Sequence, residues 1–453
     1  MSGLAIAGVG IAALLLMLAL RVPIAAALAL TGFAGTWAVL GAPAAGLSQL
    51  KSLSFDTFAS HSLSIIPLFL LMGQIATRSG ISAALYQAAA DWLGHRRGGL
   101  AMATVGASAG FGAICGSSLA TASTVGQVAL PEMRGRGYSD QLSTGVLAAG
   151  GTLGILIPPS IVLVIYAILT EQNIVKMFAA AMLPGLLAVL GYLIAVALTV
   201  RLSPGAAQPT PRVPLRARWR SLARVWPAVA IFALVMGGMV GDWNWARPGT
   251  QALFTPTEAA AVGALAMLVY GFLYGGLRLR GLAEAILETA SATGFIFLIL
   301  LGAQMFNTFL AYTQTPQALA DWVQGVGIAP LAVLAGMLIF YLLLGCVMDS
   351  LSMILLTVPV FFPIIAAQDF GLSPEEIAIW FGILVLIVVE VGLITPPVGL
   401  NLFIINRLAP DVPLRATYLG VLPFLAADLV RVALLLAVPG LTLWAVAWLG
   451  CGP

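Results

Sequence analysis

The chain has 453 residues, 61% of them hydrophobic, with 20 Lys+Arg, 17 Asp+Glu and a mean hydropathy of +1.05. Its 8% of charged residues is far below the roughly 25% of a soluble globular chain, too few to cover a cytosolic or secreted enzyme of this length. The apolar stretches are continuous and do not alternate at period two, which excludes a membrane β-barrel and defines an all-α polytopic membrane protein.

In chain order, the first apolar run, near 4–20, has neither a basic start nor a signal-type cleavage site and reads as a retained span. Runs near 22–42 and 63–77 follow, then an amphipathic segment, 80–93, that ends in Asp91-Trp92 and lies along the membrane surface. The next run, 98–131, is about twice a span and is interrupted at Gly116-Ser117-Ser118. A run over 141–170 is broken at Pro158-Pro159, and another span covers 177–200. The polar segment 201–224 carries Arg201, Arg212, Arg216, Arg218, Arg220 and Arg224 without an acid, so it stays cytoplasmic. Its prolines (Pro204, Pro209, Pro211, Pro214) make it the linker between two halves. Spans near 225–240 and 257–275, an amphipathic segment 276–288, a span 289–312 and a third amphipathic segment 315–326 come next. A second double-length run, 329–366, is interrupted at Asp349-Ser350; 375–405 is broken at Pro396-Pro397, and 420–449 closes the chain.

The flanks of the two double-length runs have opposite charge. His95-Arg96-Arg97 and Arg134, Arg136 bracket the first; Asp321 and Asp369, Glu375, Glu376 bracket the second. Each run therefore starts and ends on one side, as a re-entrant helical hairpin, and the two enter from opposite faces. Ten crossings place both termini outside, in the periplasm. Similarity between the halves agrees. Gln74 and Asp91-Trp92 match Gln304 and Asp321-Trp322 at an offset of 230; Ser117-Ser118 and Pro131 match Asp349-Ser350 and Pro363 at 232; Gly154 and Pro158-Pro159 match Gly392 and Pro396-Pro397 at 238. The fold expected is an inverted repeat with two hairpins and two Pro-Pro-broken helices. Its parts are scaffold spans over 1–78, an amphipathic arm over 79–97, a first hairpin and broken helix over 98–172, scaffold spans over 173–275, arms and a span over 276–328, a second hairpin and broken helix over 329–407, and a C-terminal span over 408–453.

Inverted repeats with broken helices place substrate and coupling-ion sites near the midplane. At each break one half-helix presents carbonyl oxygens, suited to a small hard cation such as Na⁺, and the next presents N–H groups, suited to a carboxylate. Tandem prolines in mid-span are costly unless the break is used. The first half offers Gly116, Ser117, Ser118 and Thr121, facing Gly150-Gly151-Thr152 through Pro158-Pro159-Ser160. The second offers Asp349, Ser350 and Ser352, facing Gly392, Thr395-Pro396-Pro397 and Asn401. A lone Ser or Thr in a membrane helix more often bonds its own i−4 carbonyl, and Asp349 has the bland alternative of a helix cap. Glu390, in an apolar run before the second break, is either a structural group or a proton-sensitive one. Asp428 and Arg431, three residues apart, satisfy one another, and Thr255 to Glu258 forms a capping box.

Other chemistry is excluded. There is no GxxxxGK[ST] for ATP hydrolysis, and the two histidines and three scattered cysteines supply no zinc, haem or disulfide framework. The net charge of +3 reports membrane orientation and gives no reason to expect nucleic acid. An intramembrane hydrolase would need an activated nucleophile, and none is offered.

Gly110–Pro131 (GFGAICGSSLATASTVGQVALP), Arg136-Gly137-Tyr138, Ala148–Ser160 (AAGGTLGILIPPS), Phe254–Ala261 (FTPTEAAA) and Val391–Asn401 (VGLITPPVGLN) resemble the large membrane subunit of tripartite ATP-independent periplasmic (TRAP) transporters, over essentially the whole chain. The resemblance implies an ion-transporter-superfamily fold, a scaffold and a transport domain that moves as an elevator, and Na⁺-coupled uptake of an organic acid across the bacterial inner membrane. It implies a small four-span membrane subunit and a periplasmic substrate-binding protein as partners, with lipid around the scaffold. Na⁺ ligands carry over to Ser117, Ser118, Gly151 and Thr152 and to Asp349, Ser350, Thr395 and Pro396; substrate contacts to Thr121, Pro158, Pro159, Ser160, Ser352, Pro397 and Asn401. The chain departs from the pattern at 242–252, which reads as an extra external loop for the binding protein. The alternative function is a stand-alone ion-coupled anion exporter or exchanger of related architecture.

Overall fold

The computed structural model describes residues 2–240 and 252–448, and among these every regular element is helical. The loop 242–252 lies outside the described residues except for its last position. The N-terminal helices are α1 (Gly3–Ala19), α2 (Ile24–Leu40), α3 (Pro43–Phe58) and α4 (Ile65–Arg78), followed by the amphipathic α5 (Ile81–Leu93). The first hairpin is α6 (Gly99–Cys115) and α7 (Ser118–Gly135), and the first broken helix is α8 (Asp140–Leu156) and α9 (Ile161–Leu169), bent by 45°. Then come α10 (Ile174–Leu202), the linker, α11 (Leu215–Val240), α12 (Pro256–Leu273), α13 (Leu279–Tyr312) and α14 (Thr315–Val326). The second hairpin is α15 (Pro330–Gly345) and α16 (Ser350–Ala366), the second broken helix α17 (Pro374–Gly392) and α18 (Leu400–Leu408), and the chain ends in α19 (Leu414–Ala437) and α20 (Gly440–Trp448).

Local sequence sets these boundaries. Thr255 with Glu258, and Ser373 with Glu376, close capping boxes that start α12 and α17, each with proline in the first turn, where its missing N–H costs nothing. Gly116 ends α6 with φ +64, a left-handed conformation that a side chain would strain. Two boundaries differ from the sequence expectation. Segment 276–288 does not form a separate arm; it is continuous with the following span as one helix of 34 residues, because no proline interrupts Leu279–Tyr312. The counterpart region, α3 and α4, bends by 56° across a short 3₁₀ turn at Ser62–Ser64, where the Ser64 hydroxyl donates to the His61 carbonyl, the local side-chain bonding that competes with a regular helix. Helix α3 itself falls in a stretch the hydropathy pattern leaves unassigned.

The hairpins return to the side they start from. Both ends of the first rest on the basic linker: Thr210 N–H donates to the Gly94 carbonyl and Ser139 N–H to the Ala206 carbonyl, each at 2.9 Å, and Trp92 Nε1 reaches the Arg218 carbonyl. Partial desolvation and the neighbouring Arg212, Arg218 and Arg96 hold the His95 imidazole there below its ordinary pKa. The ends of the second hairpin meet where Gln324 Nε2 donates to the Ala367 carbonyl at 2.7 Å. The α8–α9 helix leaves the linker end and finishes near Lys176, which pairs with Glu375 at the start of α17. The α17–α18 helix runs back to Asp411, which Arg134 of the first hairpin grips at 2.9 Å and holds below the usual carboxylate range. The two hairpin bases therefore lie at opposite ends of the molecule.

Packing crosses the repeats: α2 lies against α13 and α12 against α4, while α18 packs on α7 and α16 on α9. The broken helices are innermost, with Leu142–Leu156 of α8 and Ile377–Gly392 of α17 buried throughout. Five helices are long and apolar enough to cross a membrane, two bent pairs also qualify, and α1, α2, α6, α15 and α16 are shorter apolar helices. Exposed Leu15, Leu16, Phe55, Trp226 and Leu287 form an apolar exterior, as expected where hydrocarbon is the solvent.

Helices α8 and α19 touch backbone to backbone at Gly145 and Gly420. A Cβ on Gly420 would collide with the Gln141 carbonyl and lie 3.2 Å from the Gly145 Cα. Gly420→Val is expected to lower stability by about 1–3 kcal/mol or more through overpacking, seen as a lower Tm of the purified protein in detergent. Gly336→Ala, on α15 with open space around it, should leave Tm unchanged or slightly raised; equal effects of the two would refute the close approach.

Candidate functional site

Four half-helix starts and four half-helix ends meet at the two breaks, the first buried at Gly116 and Pro158-Pro159 and the second partly exposed at Val347 and Pro397. Three starts are capped by their own preceding side chain. Ser117 accepts from Ala120 N–H, Ser160 from Leu163 N–H and Asp349 from Ser352 N–H, at 3.4, 3.4 and 3.0 Å. These oxygens satisfy N–H groups that a helix start leaves open. The side chains of Ser117, Ser160 and Asp349 thus build the breaks, while the residues after them, Ser118 and Ser350, turn inward, buried at 1% and 4% exposure.

Each hairpin tip sits on the break of its own repeat. A Cβ on Gly116 would lie 3.0 Å from the Pro159 carbonyl oxygen, so the first tip abuts Pro158-Pro159. In the second repeat Gly399 N–H donates to the Cys346 carbonyl at 3.1 Å, and the Cα atoms of Gly345 and Gly392 are in close contact. Both Pro-Pro bonds, Pro158-Pro159 and Pro396-Pro397, are cis. The Pro397 carbonyl accepts from Tyr418 at 2.7 Å, and the Thr395 hydroxyl returns to its own Val391 carbonyl. Thr395 thereby reaches back to the end of α17, whereas the Pro396 carbonyl accepts from Cys346 Sγ.

The face of α8 toward the first hairpin carries glycines because polar groups approach it closely. The Ser108 hydroxyl lies at Gly150, the Ser118 carbonyl and the Asn401 amide at Gly151, and Thr121 with the Ser117 carbonyl at Gly154. Asn401 belongs to α18, so this site draws on both repeats; its Nδ2 donates to the Ala148 carbonyl at 3.3 Å. Oxygens of Ser108, Thr121, Asn401 and Glu390 here are buried without a hydrogen-bond partner. Such orphans are uncommon in native interiors and ask for a ligand. An all-oxygen set of hydroxyls, amides, carbonyls and one carboxyl suits a hard cation and a polar anion better than a transition metal.

Thr152 is placed apart from this cluster. Its hydroxyl pairs with Tyr192 at 2.9 Å, Tyr192 donates to Asp428 at 2.7 Å, and Asp428 pairs with Arg431 at 2.7 Å. This buried chain joins α8, α10 and α19. The structure therefore brings Ser118, Thr121, Gly151 and Asn401 together and groups Ser350 with Glu390, but turns Thr152 away. Sequence reasoning missed Ser108 and Tyr192, which carry no signal beyond a polar atom in an apolar helix, and left Glu390 without a partner.

An all-helical inverted repeat, with hairpin tips facing paired helix breaks and buried oxygen atoms between them, is the architecture of a membrane transporter. The chain belongs to the family described as tripartite ATP-independent periplasmic transporter, DctM component, which matches residues 11–441. It is 37% identical over 92% of its length to the C4-dicarboxylate TRAP transporter large permease protein DctM of Pseudomonas aeruginosa, covering 94% of that protein. It is 31% identical over 85% of its length to the sialic acid TRAP transporter large permease protein SiaM of Vibrio cholerae, covering 86% of it. The isethionate TRAP transporter permease protein DctMQ of Oleidesulfovibrio alaskensis is 29% identical over 95% of this chain, which spans 64% of that longer protein. In fold it is similar to the YdaH transporter of Alcanivorax borkumensis, at a TM-score of 0.65 and 18% identity over 90% of each chain. It is a transporter permease and not an enzyme.

Removing Asp428 leaves Arg431 buried and unpaired. Asp428→Leu is expected to cost about 3–5 kcal/mol, whereas Tyr192→Phe, which deletes one hydroxyl, should cost about 1 kcal/mol. Folded yield and Tm in detergent distinguish the two, and equal losses would contradict this ordering.

Proposed function

We propose that this chain carries out Na⁺-coupled uptake of an organic acid across the bacterial inner membrane. The observation that carries the reading is the facing of each hairpin tip with the helix break of its repeat, in a chain of the TRAP large-permease family. Half-helix starts favour a carboxylate and carbonyl-rich ends favour a cation. The relatives are named for C4-dicarboxylate, sialic acid and isethionate, all small anions. Na⁺ binds around Ser117, Ser118 and Gly151 and around Asp349, Ser350 and Pro396, with Thr152 and Thr395 behind them as supports. The substrate lies among Thr121, Pro158, Pro159, Ser160, Ser352, Pro397 and Asn401.

A periplasmic binding protein delivers the substrate, and a small four-span subunit braces the scaffold α1–α4 and α11–α13 while the hairpins and broken helices move as one elevator body. Both termini face the periplasm. Supporting the moving body as a unit is the Arg134–Asp411 pair, which ties the first hairpin to the turn that follows the second broken helix.

In proteoliposomes containing the small subunit, a Na⁺ gradient with the loaded binding protein outside should drive uptake. Ser118→Ala and Asp349→Asn should each reduce Na⁺-driven uptake at least tenfold with membrane insertion intact. Unchanged Na⁺ dependence in both would count against the sites, and uptake that ignores the binding protein would favour a stand-alone exchanger.

A further inference from the structure

Glu390 lies on α17 two residues before its end and is fully buried. Its Oε1 accepts the Ser350 hydroxyl at 2.6 Å, and the Ser118 hydroxyl interacts with the same carboxyl. Ser118 and Ser350 are the first residues of α7 and α16 and counterparts in the two repeats. One carboxyl therefore touches the tips of both hairpins. Its second oxygen, Oε2, is buried with no hydrogen-bond partner.

Charge makes this arrangement incomplete. Among the described residues no ion pair includes Glu390, and Arg431, whose charge acts on it, is committed to Asp428 at 2.7 Å. Asp428 and Arg431 cancel, and the half-buried Asp349 is engaged in capping α16, so Glu390 is the fully buried carboxyl at the tips that has no cationic partner. A buried charge without a partner costs several kcal/mol. A divalent ion would overcompensate; a monovalent one balances it.

The repeat symmetry makes the same point. At the offset of 238 that relates the Pro-Pro breaks, the counterpart of Glu390 is Thr152. Thr152 has no charge of its own and turns to Tyr192 and the neutral Asp428–Arg431 pair. The carboxyl at this position thus belongs to the second repeat alone, as Asp349 does opposite Ser117, and it is placed where both tips reach it.

We propose that Glu390 is the charge-bearing ligand of a monovalent cation site held between the two hairpin tips, with the Ser118 and Ser350 hydroxyls as its partners. This rests on the coupling-cation reading above and deepens it, since a cation bound here closes both tips onto one centre. The occupant is Na⁺, the hard ion that an oxygen-only set accommodates.

The test is the Na⁺ dependence of thermal unfolding of the purified full chain in detergent, with choline replacing Na⁺ at constant ionic strength. A ligand that binds the folded state raises Tm with concentration. Wild type should be stabilised, and Glu390→Gln, close in size and neutral, should shift the Na⁺ midpoint at least tenfold upward while unfolding cooperatively in choline. An unshifted midpoint in Glu390→Gln overturns the assignment and leaves Na⁺ coupling standing. Absence of any Na⁺ response in wild type overturns the coupling reading itself, and this site with it. If Glu390→Gln does not fold, the double variant Ser118→Ala/Ser350→Ala, which keeps the carboxylate, must raise the midpoint at least fivefold; an unchanged midpoint there also refutes the site. Asp321→Asn, on the exposed face of α14, should behave as wild type.

Discussion

Hydrocarbon offers no hydrogen bonds, so every backbone N–H and C=O in a membrane must find its partner inside the protein. The architecture follows from that constraint. A helix broken at the depth of the hydrocarbon needs protein around it, and α8 and α17, the two that break at Pro-Pro, are buried along nearly their whole length. The caps at Ser117, Ser160 and Asp349 and the bond from Gly399 to the Cys346 carbonyl then satisfy part of what each break exposes. What remains unsatisfied is gathered between the tips. Scaffold helices can leave Leu, Phe and Trp outside because they keep their own hydrogen-bond ladders intact.

Much of this was legible in the sequence because membrane proteins write their topology in few symbols. The charges flanking the double-length runs placed the hairpin bases, and the Thr210–Gly94, Ser139–Ala206 and Gln324–Ala367 bonds are where the structure gathers their ends. Gly116 and the Pro-Pro pairs marked the breaks, since left-handed glycine and missing N–H groups act locally. The continuity of α13 was less visible: an amphipathic stretch joined to an apolar one looks the same whether the chain turns between them or not. Side-chain direction was not legible at all. Ser117 and Ser118 are equivalent to the eye, yet one caps and the other faces Glu390, and Thr152 turns outward to Tyr192 because of where α10 and α19 lie.

The exchange of partners between repeats gives the frame its rigidity. With α2 on α13 and α12 on α4, neither half can bury its own scaffold helices without the other. The same holds inside, where α18 lies on α7 and α16 on α9. Glycines permit the close crossings, as between α8 and α19 or Gly345 and Gly392.

The unbroken α13 has a consequence for the membrane itself. Thirty-four residues at about 1.5 Å each make a rod of about 50 Å, against a hydrocarbon core of about 30 Å. A rod of that length tilts steeply or stands proud of one leaflet by several turns. Glu284 and Glu288 lie near its first end, and Glu288 is clasped by Arg78 of α4 at 2.7 Å. That clasp fixes the rod to the end of α4, so the lean of α13 and the depth of α4 are coupled. Bilayer thickness thereby becomes a mechanical variable for this protein, acting on the bent α3–α4 side and the straight α13 side unequally.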